Sequence, residues 1–430
     1  MTETLFKNFA LLDVHAGALR AGLEVLVRGR EIAAVEEGAI AAPEAEVVDL
    51  GGRTLMPGLI DCHVHAIAPV IGAGKSGYPT KLPSLVHAGA GDVLRRTLMR
   101  GFTTVRDCAG ADLGHKQAVE HGLFTGPRMF VSGKALSQTG GHGDFRNRAD
   151  LSEPCAFAHL GIRSSRIADG VEEVQKAVRD EIRLGADQIK IMAGGGVVSD
   201  ADPIDHVQYG SDEIAAIVDE ARRSHTYVSA HAYTSECVGR AVELGVRTIE
   251  HGNMIDEATA KLMARAGAYL VPTLVVYQAM KRHAQEMGRS PGFMAKLDDV
   301  MTYGTRMLEI ARAAGVKMAY GTDLADMELV DYQAEEFLIR AEVLGAAEVI
   351  QSATLVGAEV VRMEGRLGVV AAGALADFLV VDGDPLQDLT LLQNNGEHLA
   401  AIMKDGRFFK NRIAPTNVDA PSPKSLEPVA

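Results

Sequence analysis

The chain has little cysteine, no long apolar run and no concentration of positive charge. Its four cysteines, Cys62, Cys108, Cys155 and Cys237, are widely spaced and form no C-x-x-C pair. That argues against a disulfide framework and points to a reducing compartment. No apolar run reaches about 18 residues, so no transmembrane helix is predicted. Lys and Arg total 43 against 57 Asp and Glu, a net charge of −14, and they gather into no stripe. Nucleic acid and anionic membrane are therefore poor partners, and a small-molecule substrate is the better expectation. The opening MTETLFKNFALLDVHAG has no basic segment before an apolar core, so no signal peptide is predicted. A cytoplasmic location is expected, or an exported one if a leader has been removed.

What is present suits a large globular chain. At 430 residues with 47% hydrophobic and 23% charged residues, it has room for one large barrel with a small added domain. Short runs rich in β-formers and turn signals fill both ends, including "LEVLVRGREIAAVEEG" and "ALADFLVVDGDP". Residues 1–56 and 362–412 are predicted to build one discontinuous β-sandwich domain, and 413–430 a loose tail. Between them, LIDCHVH, TTVRDCA, RMFVSG, QIKIMAG, YVSAHAY, RTIEHG, AYLVPTL and KMAYGTD read as strands separated by helical patterns. Val171, Val174, Val178 and Ile182 recur at helical spacing before Gly185. Ser211 reads as a cap for the helix after it. This alternation predicts an α/β fold, a (β/α)8 TIM-like barrel over residues 57–361.

Active sites of such barrels lie at the C-terminal ends of the strands. In "PGLIDCHVHA", alternation turns Asp61, His63 and His65 to one face and Ile60, Cys62 and Val64 to the other. Lys190 sits inside an apolar strand, His231 and His251 end two others, and Asp323 ends the last. Singly, each has a plainer reading: a snorkelling lysine, core histidines, a helix cap. Jointly, they point to a metal centre, because imidazole and carboxylate suit zinc and similar divalent ions. Four histidines and an aspartate exceed the ligands of one catalytic zinc, so two ions are expected. An anionic bridge between them requires Lys190 to carry a carbamate. Bound metal would acidify water into a nucleophile, and Asp323 would accept its proton. The Gly194–Gly196 run has no G-K-[ST] after it, which excludes a nucleotide cradle. It is expected to let backbone approach the metals or substrate closely. Arg106 and Asp107 read as structural pairs at the barrel end.

"MPGLIDCHVH", "IKIMAGGG", "AHAY", "IEHGN" and "GTD", in this order, resemble the amidohydrolase superfamily over roughly residues 1 to 410. The resemblance implies that His63, His65 and Asp323 hold the more buried metal and His231 and His251 the second. Lys190 would bridge them as a carboxylated lysine. "SQTGGHGD" and "KIMAGGGVVS" resemble the Xaa-Pro dipeptidase-like and imidazolonepropionase-like branch, and within it a subgroup hydrolysing ochratoxin A to ochratoxin alpha and phenylalanine. That branch implies cleavage of an amide next to a C-terminal amino acid. His142 would polarise the scissile carbonyl or contact substrate, and Tyr233 would touch the carbonyl or the terminal carboxylate. Ser84 and Lys81 lie in a Gly- and Pro-rich loop, 66–86, expected to cover the substrate. A homo-oligomer, up to an octamer, follows by the same analogy. The alternatives are an Xaa-Pro or other dipeptidase, a cyclic-amide hydrolase or deaminase, and a metal-free scaffold.

Overall fold

The structure, a computed structural model, describes residues 3–71, 81–146, 149–151, 164–199, 202–286 and 288–413. Cys155, residues 72–80 of the loop after the first barrel strand, and the tail beyond Ile413 lie outside them. The N-terminal strands are β1 (Glu3–Lys7), β2 (Ala10–Asp13), β3 (Ala18–Arg20), β4 (Leu23–Arg28), β5 (Glu31–Glu37), β6 (Glu46–Asp49) and β7 (Thr54–Pro57). The middle supplies β8 (Leu59–Val64), β9 (Phe102–Asp107), β10 (Arg128–Val131), β11 (Ala135–Ser137), β12 (Ser165–Ile167), β13 (Ile189–Met192), β14 (Val228–Thr234), β15 (Thr248–Met254) and β16 (Tyr269–Val271). The C-terminal part adds β17 (Phe378–Val381), β18 (Leu399–Lys404) and β19 (Arg407–Asn411).

The ends of the chain meet. One sheet has the order β5-β4-β1-β6, and a six-stranded sheet has the order β19-β18-β17-β7-β2-β3. Phe6 meets Phe378 edge to face, with ring centroids 5.0 Å apart, a favoured aromatic geometry. Both sheets share one buried cluster, and that cluster also takes in Leu59, Phe102, Tyr320 and Phe337. The terminal sheets therefore pack directly onto the middle of the chain. Gly58 makes the passage from β7 to β8, where a Cβ would fall 2.1 Å from Thr103 Oγ1.

The middle strands pair in parallel as two arcs, β10-β9-β8 and β12-β11-β13-β14-β15-β16. The expected barrel is present as these arcs, and the ladders do not close into a continuous ring. At one seam, Asp187 N–H donates to Val131 O (2.7 Å) while the Asp187 carboxylate accepts from Val131 N–H (2.8 Å). At the other, residues 317–323 pair too sparsely to count as the predicted eighth strand. A bridge joins Leu270 to Met318. Cys62 N–H donates to Tyr320 O and Asp323 N–H to His63 O, both at 2.8 Å. β11 and β12 were not anticipated; both are three residues long, too short to show a period.

The helix Val171–Arg183 buries Val174, Ala177 and Val178 and ends before Gly185. Val171 and Ile182 lie at its half-buried margin. Ser211 is not a cap. Gly210 holds that place, and Glu213 reaches back to accept the Gly210 N–H at 2.6 Å, half of a capping box.

Candidate metal centre and active site

β8 delivers His63 and, one residue past its end, His65. Their ring centroids are 5.4 Å apart. Asp323 Oδ1 lies 2.9 Å from His65 Nε2 and 3.4 Å from His63 Nε2. Ligand atoms of His63, His251 and Asp323 come within 4.8 Å of one another. The His251 ring lies 5.0 Å from that of His63 and 4.6 Å from that of His231. His65, His63, Asp323, His251 and His231 thus form one continuous cluster across both arcs.

Two of these residues depart from strand geometry. His251 has φ +75° and Asp323 φ +56°, the left-handed region that non-glycine residues rarely enter. In a regular strand Glu250 and His251 would face opposite ways. The turn at His251 lets both reach His63: Glu250 Oε2 accepts from His63 Nδ1 at 2.7 Å. Such strain gathers at functional sites.

Lys190 completes the group from β13. It is 2% exposed, and its Nζ has no hydrogen-bond partner among the described residues. Its charge acts on His63, His231, His251 and Glu250. Leaving a buried amine unpaired is costly, so its position marks a place where something else belongs. Burial, then the charges of neighbouring His142, His251 and Lys190, push His231 well below the usual imidazole value. Burial also lowers His251. Burial opposes ionisation of Asp323, but His63 and His65 hold its carboxyl well below the usual range. His231 and His251 are thus neutral and Asp323 ionised, the forms that bind metal, whereas His63, beside the Asp323 carboxylate, is held well above the usual imidazole value despite its burial.

Beneath the centre lies a layer of buried charges in which Glu250 is the member that sequence reasoning misses. Arg106 and Glu250 are fully buried and paired at 2.8 Å. Arg106 also donates to Cys62 O (2.6 Å) and Thr248 Oγ1 (2.9 Å). Arg106 therefore does pair structurally, and it acts on the site through Glu250. Asp107 takes three backbone N–H groups, those of Ala66, Ala109 and Ala111. Asp61 accepts from His63 N–H, Thr322 Oγ1 and Gln333 Nε2. The one available signal was Glu250 beside His251 in "IEHGN". His63, Cys108 and Glu250 also cluster, but Glu250 is already committed to Arg106.

His142 lies against the centre. Its ring stacks on that of His231 with centroids 4.2 Å apart and planes 18° apart. Nδ1 lies 2.8 Å from Ser199 Oγ and 3.6 Å from Asp202 Oδ2, and the His142 backbone N–H donates to Gln208 Oε1. The Gly194–Gly196 run serves this ring first. A Cβ on Gly196 would fall 2.0 Å from His142 Cε1, and one on Gly195 1.7 Å from Pro203 O. Tyr233 is buried, its ring 4.9 Å from that of His231 and 5.2 Å from that of His251. Ser84 stands exposed in the first turn of the helix Pro83–Met99, and no contact joins it to the cluster among the described residues. Lys81 Nζ donates to Val70 O.

A model of the amidohydrolase family matches residues 54–408. The chain belongs to the amidohydrolase family. It is a hydrolase, and that family's chemistry generally rests on a binuclear metal centre. Ochratoxinase of Aspergillus niger is 33% identical over 392 residues, spanning 86% of this chain and 78% of that protein. Its solved structure superposes with a TM-score of 0.83 at 29% identity over 95% of this chain and 96% of that one. A prolidase solved with N-methylphosphonate-L-proline has a TM-score of 0.92 and 48% identity, covering 95% of this chain and all of that one. A Xaa-Pro dipeptidase with methionine in its active site has a TM-score of 0.85 and 30% identity, with coverage of 95% and 100%. Among the described residues no helix is long and apolar enough to cross a membrane.

Proposed function

We propose that this chain hydrolyses the amide bond of dipeptides and N-acyl amino acids at a C-terminal residue, in the manner of a carboxypeptidase. The observation that carries the reading is the buried, unpartnered Lys190 amine facing a cluster of imidazoles and one carboxylate. These residues fit two divalent ions. His63, His65 and Asp323 would hold the first, His231 and His251 the second. Lys190, after its amine adds carbon dioxide and loses a proton, would supply the anionic oxygens between them. Zinc is the natural occupant of such a donor set. Ions bound there supply Lewis acidity and bring the pKa of water toward neutrality.

The chain's own groups do the rest. Asp323 takes a proton from the attacking water through the carboxylate it turns to His63 and His65, and gives it to the departing nitrogen. His142, fixed by Ser199 and flat against His231, donates to the oxygen that gains charge as the carbonyl carbon becomes tetrahedral. Tyr233, between His231 and His251, is placed to meet the carbonyl or the terminal carboxylate. Two substrate classes merit a direct contest. Likeness to ochratoxinase favours ochratoxin A. The 48% identity to a prolidase solved with a proline phosphonate favours Xaa-Pro dipeptides, and we rank that class first. A cyclic-amide hydrolase is less consistent with Lys190. The two terminal sheets, in this reading, belong to the small domain predicted from residues 1–56 and 362–412. A homo-oligomer in the cytoplasm remains the expected form.

The test is a hydrolysis panel on zinc-loaded protein: Xaa-Pro, Xaa-Arg, N-acyl-Phe, N-acyl-Leu and ochratoxin A, with Asp323→Asn alongside. Release of the C-terminal residue, abolished in the variant, supports the proposal. Silence on every amide by fully metallated protein refutes it.

A further inference from the structure

We infer that Asp202 is a positioning residue: acting through Ser199, it fixes a proton on Nδ1 of His142 and leaves Nε2 as the ring atom that meets the substrate. The inference deepens the proposed reading of His142 and rests on it.

Two backbone N–H groups set the direction of the network, because a backbone N–H can only donate. The His142 N–H donates to Gln208 Oε1 at 2.9 Å, so the oxygen of that amide faces His142. Its NH2 is then the end that faces Asp202, and Gln208 Nε2 donates to Asp202 Oδ2 at 2.9 Å. The Gly196 N–H donates to the same oxygen at 3.1 Å. Asp202 Oδ2 thus accepts two hydrogen bonds, the setting of an ionised carboxylate. The Asp202 side chain is fully buried. Burial opposes its ionisation, but His142, Ser199 and the Lys296 ammonium keep its carboxyl below the usual range. Lys296, on the helix Pro291–Tyr303, donates to the carbonyls of Gly196, Ser199 and Asp202 and ties these three residues to one point.

An ionised carboxylate has no proton to give, so in the hydrogen bond between Ser199 Oγ and Asp202 Oδ1 the serine donates. A hydroxyl has a single O–H. Toward His142 Nδ1, 2.8 Å away, Ser199 can therefore only accept. A second acceptor near that hydroxyl, Gly196 O at 3.5 Å, would also draw its proton away from His142. Asp202 Oδ2, 3.6 Å from Nδ1, adds an acceptor on the same side of the ring. Nδ1 carries the proton. Nε2 enters no hydrogen bond among the described residues, and one face of the ring is taken by His231 at 4.2 Å. To donate through Nε2, the ring holds both protons, and Asp202 is the buried counter-charge of that cation.

Two measurements test this. In zinc-loaded protein labelled at histidine with nitrogen-15, the His142 ring signals, assigned by their loss in His142→Ala, report which nitrogen bears hydrogen without any substrate. Wild type is expected to bear it on Nδ1. In Asp202→Asn the amide oxygen goes to the two donors at Oδ2, and the NH2 takes the place of Oδ1. That NH2 donates to Ser199, the hydroxyl turns to His142, and the ring proton is expected to move to Nε2. A bare Nδ1 in wild type, or one that keeps its hydrogen in Asp202→Asn, overturns the inference. Should Asp202→Asn fail to fold, Ser199→Ala removes the bridge alone and is expected to populate both tautomers; a ring unchanged there overturns it equally. Kinetically, Asp202→Asn is expected to lower kcat on a Xaa-Pro dipeptide about tenfold, the gap between a charged and a neutral donor, with KM unchanged and two metals per chain retained. In a His142→Ala background the same substitution is expected to change kcat no further. Losses that multiply in the double variant overturn the inference, since Asp202 would then act independently of His142. A wild-type protein that cleaves no amide would defeat the proposed function, while the nitrogen-15 signals would still decide this point.

Discussion

Replacing Glu250 with glutamine tests how the buried layer supports the centre. Glu250 and Arg106 are both inaccessible to solvent and paired at 2.8 Å. Burial opposes ionisation of Glu250, but the Arg106 guanidinium and the hydrogen bond from His63 keep it well below the usual carboxylate range. The glutamine amide would keep an acceptor for His63 Nδ1 but leave the Arg106 guanidinium buried without a counter-charge. Removing one partner of a buried ion pair costs about 3–5 kcal/mol, and the Glu250→Gln variant should lose that much unfolding free energy in urea. Arg106→Met should cost a similar amount by leaving Glu250 charged and alone. The double variant should cost clearly less than the sum, because no orphan charge remains. Some loss persists, since Cys62 O and Thr248 Oγ1 each lose an Arg106 donor. Metal affinity should fall about 10- to 100-fold in Glu250→Ala, which also frees His63 to turn. Strictly additive losses, or a Glu250→Gln variant within about 0.5 kcal/mol of wild type, would refute the reasoning.

Other expectations follow from single contacts. Gly196→Ala places a Cβ where the His142 ring lies, so kcat should fall with metal content unchanged. His142→Ala should lower kcat about 100-fold, the scale of one lost oxyanion donor, again without loss of metal by elemental analysis. Lys404 gives a pH signature. Burial lowers it from 10.5 to about 8, although it donates to Gly126 O at 2.6 Å. Below about pH 8 the folded chain carries a charged buried amine at a penalty of about 3 kcal/mol. As pH rises from about 8 to 10.5 the folded state releases its proton before the unfolded one, and the penalty fades. Wild type should therefore gain stability relative to Lys404→Met across that window, read from paired urea titrations. A flat difference would contradict it.

The site was legible where chemistry and periodicity coincide. His63 and His65 follow from alternation in β8, and His231, His251 and Asp323 from their places at strand ends. The structure gathers these five into one cluster, and the buried Lys190 is electrostatically coupled to His63, His231 and His251. What was not legible depends on backbone bends and on side chains from distant segments. Nothing in "IEHG" announces that His251 takes φ +75°, and so strict alternation turns Glu250 away from the His63 it supports. Arg106 is 144 residues from Glu250 in sequence, and as a charged residue in a strand it looks like any other. Glycines in the Gly194–Gly196 run suggest space for metal or substrate, whereas the nearest neighbour of a Cβ on Gly196 is the His142 ring. Ser84 falls in a Gly- and Pro-rich stretch that suggests a loop, but local composition says nothing of the direction in which the first turn of the helix Pro83–Met99 points. The eighth strand had the right composition, yet its segment crosses the seam with isolated bonds.

We propose that Lys190 joins four histidines and Asp323 in holding two ions. Metal equivalents per chain, measured by elemental analysis after loading with zinc and bicarbonate, test it most directly. Wild type should hold two and Lys190→Ala one or fewer, with the fold intact by circular dichroism. Two equivalents in both proteins, or none in either, would contradict it.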